Sequence, residues 1–290
     1  MGISDKVKSM KNLQVEVFKG KEASVNSYLF SNETSIIVMD VLRNSPEAME
    51  LAAFIKAKAL PLTHIFITHG HPDHYIGMDV LSKAFPKAKI VVASQEIKAD
   101  ILGFSNYMES IGWLEAEPNM KPKTAENQEG FDYQGKIDVL DAQELTLEGG
   151  GTLEINTDYR SAEAEHLTTV FSKDLNALFT SDFCYNGVHL WLGPGVDQSH
   201  IEHWKEELRK MKEKYIDTGV TIYPGHGAPS SPVLFDRVLQ YINDFQETIA
   251  VTTSKEQAMS RMREIYPDWE QDDFLLLYSV DFHMGLKDGK

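Results

Sequence analysis

The segment Thr68-His69-Gly70-His71-Pro72-Asp73-His74 packs three imidazoles and one carboxylate into six residues, directly after the apolar run Ile65-Phe66-Ile67. That run has the length and β-branched content of a buried strand, and Gly70 and Pro72 break it where the histidines begin. The cluster is therefore expected on a loop at the carboxyl end of a strand, the edge where open α/β sheets place ligands. Neutral imidazole and carboxylate oxygen together suit zinc, manganese or iron, and a turn lets alternating residues converge on one point. A solvated polar turn has no need of four donors at this density, so a metal site is the working expectation.

Outward from this loop, the chain alternates strand and helix. Residues 15–18, 27–30 and 35–41 read as short strands, the last ending on Asp40. Ser45-Pro46-Glu47 reads as a helix start, with Ser45 as N-cap and the helix running to about residue 59. Residues 78–85 read as a helix and 90–93 as another buried strand, the alternation of an α/β protein. About residues 94–134 break the rhythm: one helical piece near 97–104 and a second holding Met108, Ile111, Trp113 and Leu114 precede a polar run. This segment is expected to be an inserted helical lid, with Met108 and Trp113 either facing a substrate or anchoring the lid to the core. From 136 onward short strands at 137–140, 153–156, 168–171 and 177–180 form a second β-rich half, followed by a helix at 199–211 and a strand at 220–223. A helix from 233 to about 251 and a helical appendage over about 252–290, broken near Pro267-Asp268, complete a single domain over 1–290.

Composition narrows the function. A net charge of −16 and a pI near 5.0 lack the basic footprint of a nucleic-acid binder and disfavour anionic membrane surfaces. The single cysteine, Cys184, excludes an intrachain disulfide and a Cys-rich metal finger. Residues 1–10 are polar and carry lysines, unlike a signal peptide, and no stretch has the length of a membrane span. A soluble cytoplasmic protein acting on a small molecule is expected, with no nucleic-acid or membrane partner and with a homodimer left open.

Three further residues share the setting of the first cluster: His166 before Leu167-Thr168-Thr169-Val170, Asp182 after Leu178-Phe179-Thr180-Ser181, and His226 after Ile222-Tyr223-Pro224-Gly225. With the loop they make five histidines and two aspartates, enough for two metal ions. On these residues, in this order, the sequence resembles the metallo-β-lactamase-fold superfamily from about residue 13 to 227. The resemblance implies an αββα sandwich with two divalent metals at one edge, zinc first and manganese, cobalt or iron as alternatives. It implies His69, His71 and His166 on the first metal, Asp73, His74 and His226 on the second, and Asp182 bridging both. Asp40 matches a position where relatives keep an acid behind a ligand, or is simply a strand-end turn residue.

Two such ions, roughly 3.5–4 Å apart, share a bridging water and lower its pKa into the neutral range, so that a bridging hydroxide attacks a carbonyl or phosphoryl centre. Asp73 is placed to orient the nucleophile or pass a proton to the leaving group. No Gly-x-Ser-x-Gly elbow, P-loop or dinucleotide fingerprint competes with this apparatus. A bridging Asp182 resembles the glyoxalase II and lactonase branches more than the true β-lactamases. Tyr185, three residues on, resembles a lactonase tyrosine that reaches the substrate carbonyl; the alternative is a packed loop residue. His189 and Trp191 are further pocket candidates, and Cys184 is read as a small buried residue. The region around His166 reads Glu163-Ala164-Glu165-His166-Leu167, a departure from the family's Gly-His-Thr form. The expectation is a dinuclear hydrolase of a carboxylic ester or lactone, with thioesters and β-lactams ranked below. A phosphodiesterase or ribonuclease of the same fold, a mononuclear-iron persulfide dioxygenase and a non-catalytic metal protein are the alternatives.

Overall fold

Covering both faces of a sheet leaves strands apolar along their whole length, and β3 (Ile36–Met39), buried at all four positions, is such a strand. The computed structural model describes residues 12–287, so the expectation for residues 1–10 lies outside them. In chain order β1 (Gln14–Lys19), β2 (Asn26–Ser31) and β3 pair antiparallel. Helix α1 (Ser45–Lys56) crosses to β4 (Leu62–Ile67), and the short α2 (Pro72–Tyr75) and α3 (Met78–Ala84) lead to β5 (Lys89–Val92). Helix α4 (Gln95–Ser110) and the single turn α5 (Tyr133–Lys136) lead to β6 (Ile137–Val139). The first sheet has the order β1-β2-β3-β4-β5-β6, parallel from β3 onward.

The second sheet is built from β7 (Glu144–Thr146), β8 (Thr152–Asn156), β9 (Thr169–Ser172), β10 (Ala177–Asn186) and, after α6 (Gln198–Tyr215), β11 (Thr221–Gly227). Its order is β11-β10-β9-β8-β7, with only β10 and β11 parallel. Helices α7 (Val233–Val251), α8 (Lys255–Ile265) and α9 (Leu277–Lys287) follow. Among the described residues no helix is long and apolar enough to cross a membrane.

Strand alternation assigns the layers. Tyr28, Phe30, Ile37, Met39, Phe66 and Val91 point from the first sheet toward Leu153, Ile155, Val170 and Phe179 of the second, making the inner core. The alternate residues Leu29, Val38, Ile65, Ile67 and Val92 pack under α1, α3 and α4. Leu178 and Ile222 pack instead with Trp204, Phe235 and Tyr241 of the other helical layer. The result is the expected αββα sandwich.

Several local expectations change. The cap of α1 is Asn44, whose side chain accepts from Glu47 N–H; Ser45 lies inside the first turn and donates to Glu117 instead. Strand β6 joins the first sheet beside β5, so the second sheet begins only at β7, a strand too short and polar to read from its sequence. The segment after residue 94 is not an interruption. Helix α4 is one continuous element that carries the chain from β5 to parallel β6, burying Ile97, Ile101 and Met108, and it ends where Gly112 takes φ +77°. The lid at 94–134 is thus partly a sandwich layer, and two 3-10 turns, Trp113–Glu115 and Pro118–Met120, stand where the second helical piece was expected.

The carboxyl-terminal appendage packs on α7 through Met259, Met262, Leu276 and Val280 and is fastened to the far side of the sandwich through Glu270. Glu270 accepts from Lys19 Nζ at 2.7 Å and from Ser24 Oγ, and its backbone bonds to Gly187 O and His189 N. Beside this fastening His189 is buried and shares a 2.8 Å hydrogen bond with the Tyr241 hydroxyl, within an aromatic cluster where Tyr241 stacks on Trp269 at 5.0 Å.

Burial lowers the His189 pKa from 6.5 to about 4. The folded chain therefore binds fewer protons than the unfolded chain between these values, and stability falls as pH drops through that window. Urea unfolding of His189→Asn and wild type at about pH 7 and pH 4.5 should show the wild type losing roughly 2 kcal/mol more than the variant. Parallel loss in both proteins would mean that His189 is protonated, or free to become so, in the fold.

Candidate metal centre

The candidate metal-ligating residues come from ends of strands in both sheets. The loop after β4 supplies His69, His71, Asp73 and His74; β10 supplies Asp182; β11 supplies His226. The strand ends are irregular where they meet. Ser181 has φ +47° and the β10–β11 register shifts on either side of it, which turns Asp182 inward. A Cβ on Gly225 would stand 1.9 Å from Asp182 Oδ1, so this close approach of β11 to the carboxylate requires glycine.

Two groups of four residues result, each with its donor atoms within 4.8 Å of one another: His69, His71, Glu163 and Asp182, and Asp73, His74, Asp182 and His226. Asp182 belongs to both, its Oδ2 lying 3.7 Å from His69 Nε2, 3.3 Å from His74 Nε2 and 3.1 Å from His226 Nε2. Glu163 Oε1 is 3.0 Å from His71 Nδ1, and Oε2 is 3.8 Å from His69 Nε2.

His166 is the exception among the expected ligands. Its Nδ1 bonds Asp100 Oδ2 of α4 at 2.8 Å, its side chain is 40% exposed, and it joins neither group. The buried carboxylate three residues earlier stands in its place. The signal was present in Ala162-Glu163-Ala164, a glutamate between two small apolar residues just before a strand, a pattern that a solvent-facing charge does not need.

Three of the four inward-facing imidazoles are held from behind, while His71 turns its Nδ1 to Glu163 within the cluster. His74 Nδ1 donates to Asp40 Oδ2 at 2.8 Å, while Asp40 also accepts from Thr68 N–H and Oγ1, both at 2.9 Å. His69 Nδ1 lies 3.2 Å from Ser181 Oγ and 3.1 Å from Thr68 Oγ1, and His226 Nδ1 donates to Ala23 O at 2.8 Å. Such partners fix the tautomer and leave Nε2 free to bind a metal. Asp40 itself, at φ +59°, occupies the place anticipated for an acid behind a ligand.

The donor set fits divalent cations. His69 Nε2, His74 Nε2, Glu163 Oε2 and Asp182 Oδ1 are buried with no hydrogen-bond partner among the described residues, although buried polar atoms are nearly always paired. Glu163, Asp73, Asp182 and Asp40 bring four carboxylates, which two divalent ions would balance. The same imbalance moves the pKa values. Burial opposes charging His74, yet Asp182, Asp40 and Asp73 push its pKa well above the ordinary value. Burial would raise Asp182, but the surrounding His74, His226 and His69 hold it well below the carboxylate range. Burial, with His74 adding to it, keeps His69 neutral.

Above the cluster opens a pocket of about 430 Å³. Asp73, Glu163 and Tyr185 form its floor, and Trp113 and Trp191 are in its wall. Tyr185 stacks on the His226 ring at 4.2 Å and donates to Asp182 Oδ2 at 2.8 Å. Burial and the adjacent Asp182 and Glu163 raise the Tyr185 pKa well above 10, keeping its phenol protonated. Met108 lines the neighbouring 280 Å³ cavity, whereas His189 is turned away into the aromatic cluster of α7. Cys184 is buried with its thiol pushed up to about 12 and takes no part. Arg43, Phe104, Tyr107, Phe274 and Tyr278 also line the pocket and were not anticipated, being scattered over the loop after β3, α4, the turn at 272–276 and α9 without a common motif.

Because Gly225 abuts Asp182, Gly225→Ala must displace the shared carboxylate. Metal affinity, read by competition with a chromogenic chelator, should fall at least about 10-fold, the scale seen when a ligand loses its orientation. Unchanged affinity would show that Asp182 is not fixed by this contact.

Comparisons with known proteins agree with this geometry. The family model described as the metallo-beta-lactamase superfamily matches residues 20–226. The uncharacterized protein YobT of Bacillus subtilis (strain 168) is 33% identical over 73 residues, covering 25% of this chain and 30% of that protein. An atrochrysone carboxyl ACP thioesterase from Emericella nidulans is 22% identical over 204 residues, 70% of this chain and 51% of its own length. The chain thus spans from about a third to about a half of the length of these curated relatives. Among solved structures, a metallo-beta-lactamase family protein from Thermus thermophilus superposes with a TM-score of 0.63 at 14% identity, covering 96% of this chain and 94% of its own. A metallo-beta-lactamase from Pontibacter korlensis does so with 0.52 at 15% identity, over 80% of this chain and 94% of its own. At these identities the superpositions speak for the fold alone, and the family match extends over most of the sandwich and every strand-end donor: the chain belongs to the metallo-beta-lactamase superfamily.

Proposed function

We infer that the protein is a dinuclear-metal hydrolase of a carboxylic ester or lactone. The observation that carries this reading is the pair of four-residue donor groups sharing Asp182 at the floor of a largely apolar pocket. His69, His71, Glu163 and Asp182 would hold one ion, and Asp73, His74, Asp182 and His226 the other. Bound there, two divalent ions would activate a water and polarise a carbonyl oxygen at neutral pH. Asp73, 14% exposed and on the pocket floor, is placed to orient that water and carry its proton to the leaving group. The neutral Tyr185 hydroxyl, on turning its single O–H from Asp182 Oδ2, can donate to the oxygen on which negative charge develops. An apolar wall favours an acyl substrate over a phosphodiester, whose negative backbone would ask for several cations where, among the described residues, Arg43 is the one lysine or arginine in the lining. Thioester cleavage is a second reading, supported by the similarity to a fungal thioesterase.

Metal analysis of protein purified without added metal should give two ions per chain and release of acid from an ester and lactone panel. A single iron with oxygen uptake would replace this reading with oxygen chemistry, and activity confined to bis-aryl phosphodiesters or RNA would replace the substrate class. Glu163→Gln should lose one ion per chain, while His166→Ala keeps both; the opposite result would return His166 to the first metal. Tyr185→Phe should keep both ions and lower kcat by about 10²-fold, the scale of one lost oxyanion donor. An unchanged kcat would assign Tyr185 to packing.

A further inference from the structure

The pocket wall is unusual in its chemistry. Six aromatic side chains line it: Phe104 and Tyr107 from α4, Trp113 just beyond, Trp191 after β10, and Phe274 and Tyr278 from the carboxyl-terminal appendage. They come from three separate parts of the chain, so the ring-lined space exists only in the assembled fold. Phe104 stands at 5.8 Å from the His71 ring, which brings the aromatic wall directly up to the metal ligands. Phe274 belongs to the π-helical turn Asp272–Leu276, entered through Gln271 at φ +67°. Such turns are rare and tend to occur at functional sites.

Among the described residues Arg43 is the one lysine or arginine in the lining of this pocket. Its side chain is 18% exposed, and its guanidinium lies 5.4 Å above the Phe274 ring. Glu22 Oε1 approaches Nε at 3.0 Å from the solvent side, with its own side chain 46% exposed. Among the described residues neither Nη group makes a hydrogen bond, so most of the planar fork is free to meet a carboxylate. The turn that presents Arg43 is strained: Asp40 at φ +59° and Leu42 at φ +73° both lie in the left-handed region. One short segment thereby sets Asp40 behind a metal ligand and Arg43 on the pocket wall.

An aliphatic acyl chain calls for aliphatic walls and no buried cation, whereas ring faces and edges are suited to other rings. On the reading of the site as an acyl hydrolase, we propose that its substrate is a planar aromatic acid whose acidic group pairs with Arg43 while the ester carbonyl, at the other end of the ring system, faces the metals. In a chain of net charge −16, a half-buried arginine is what lets such an anion enter. The volume of 430 Å³ falls within the range of small-molecule sites, about 300–1,000 Å³.

Binding of inert analogues to the metal-loaded protein tests this without relying on turnover. 6-Carbamoyl-2-naphthoic acid, naphthalene-2,6-dicarboxamide and trans-4-carbamoylcyclohexanecarboxylic acid are titrated against tryptophan fluorescence, which Trp113 and Trp191 supply at the site. The naphthoic acid should bind at least 10-fold tighter than either comparison compound. Arg43→Met should erase its advantage over the neutral diamide while diamide binding persists, which also shows that the pocket is intact; Arg43→Lys should retain part of the advantage. Equal binding of acid and diamide, an acid preference surviving in Arg43→Met, or equal binding of the cyclohexane acid would overturn the proposal. If the preference holds but no ester is cleaved, the hydrolase reading fails alone. If esters are cleaved without the preference, the substrate class fails alone.

Discussion

Four carboxylates and four imidazoles gathered in a crevice between two sheets form the constraint to which the rest of the architecture answers. Burying an ionised carboxylate is expensive unless it is paired and hydrogen-bonded, and Asp182, Glu163 and Asp40 are all nearly inaccessible. Protein groups neutralise only part of this charge. The imidazoles can do so by taking up protons, and the raised pKa values of His71, His74 and His226, against the burial that lowers them, record that pull. A divalent ion satisfies the same demand with no proton at Nε2.

Placing so many donors on one edge needs strands from both sheets to stop at the same height and turn sharply. Backbone in the left-handed region accumulates where they do, at Asp40 and Leu42 after β3 and at Ser181 within β10. Residues held in such conformations persist when the surroundings over-determine them. Here the surroundings are the hydroxyl and carboxylate lattice of Thr68, Ser181 and Asp40, which ties the two sheets together behind the ligands. The inner core of Tyr28, Phe30, Phe66 and Phe179 lies below it and fixes the spacing of the sheets.

The legible parts of this arrangement were those where chemistry and local pattern coincide. The histidine loop could be read because donor density, a preceding apolar run and Gly-Pro punctuation occur within ten residues. Asp182 and His226 followed because each ends a recognisable strand. Glu163 was hidden by a neighbour: His166 is the more conventional metal donor, and only the tertiary fold shows that it joins neither donor group while Glu163 does. The sequence divides helix α4 into a piece near 97–104 and a second holding Met108, but the polar stretch Ser105-Asn106-Tyr107 between them continues the helix, with Ser105 buried and Asn106 and Tyr107 exposed. Strand β7 carries one buried residue among three and owes its existence to pairing with β8. The pocket wall had no sequence signature, since its rings converge from positions more than a hundred residues apart.

The fastening at Glu270 has a wider meaning. Its carboxylate grips Ser24 and Lys19 on the β1–β2 connection, and that same connection offers the Ala23 carbonyl that orients His226. The carboxyl-terminal segment is therefore joined through one connection to His226, a candidate donor, although among the described residues it supplies no donor to either group itself. Linkage makes such an arrangement reciprocal: whatever free energy the ordered appendage lends to holding an ion, the ion returns as stability of the appendage. Phe274 and Tyr278 ride on that same segment, so the aromatic wall and the backing of His226 share one support.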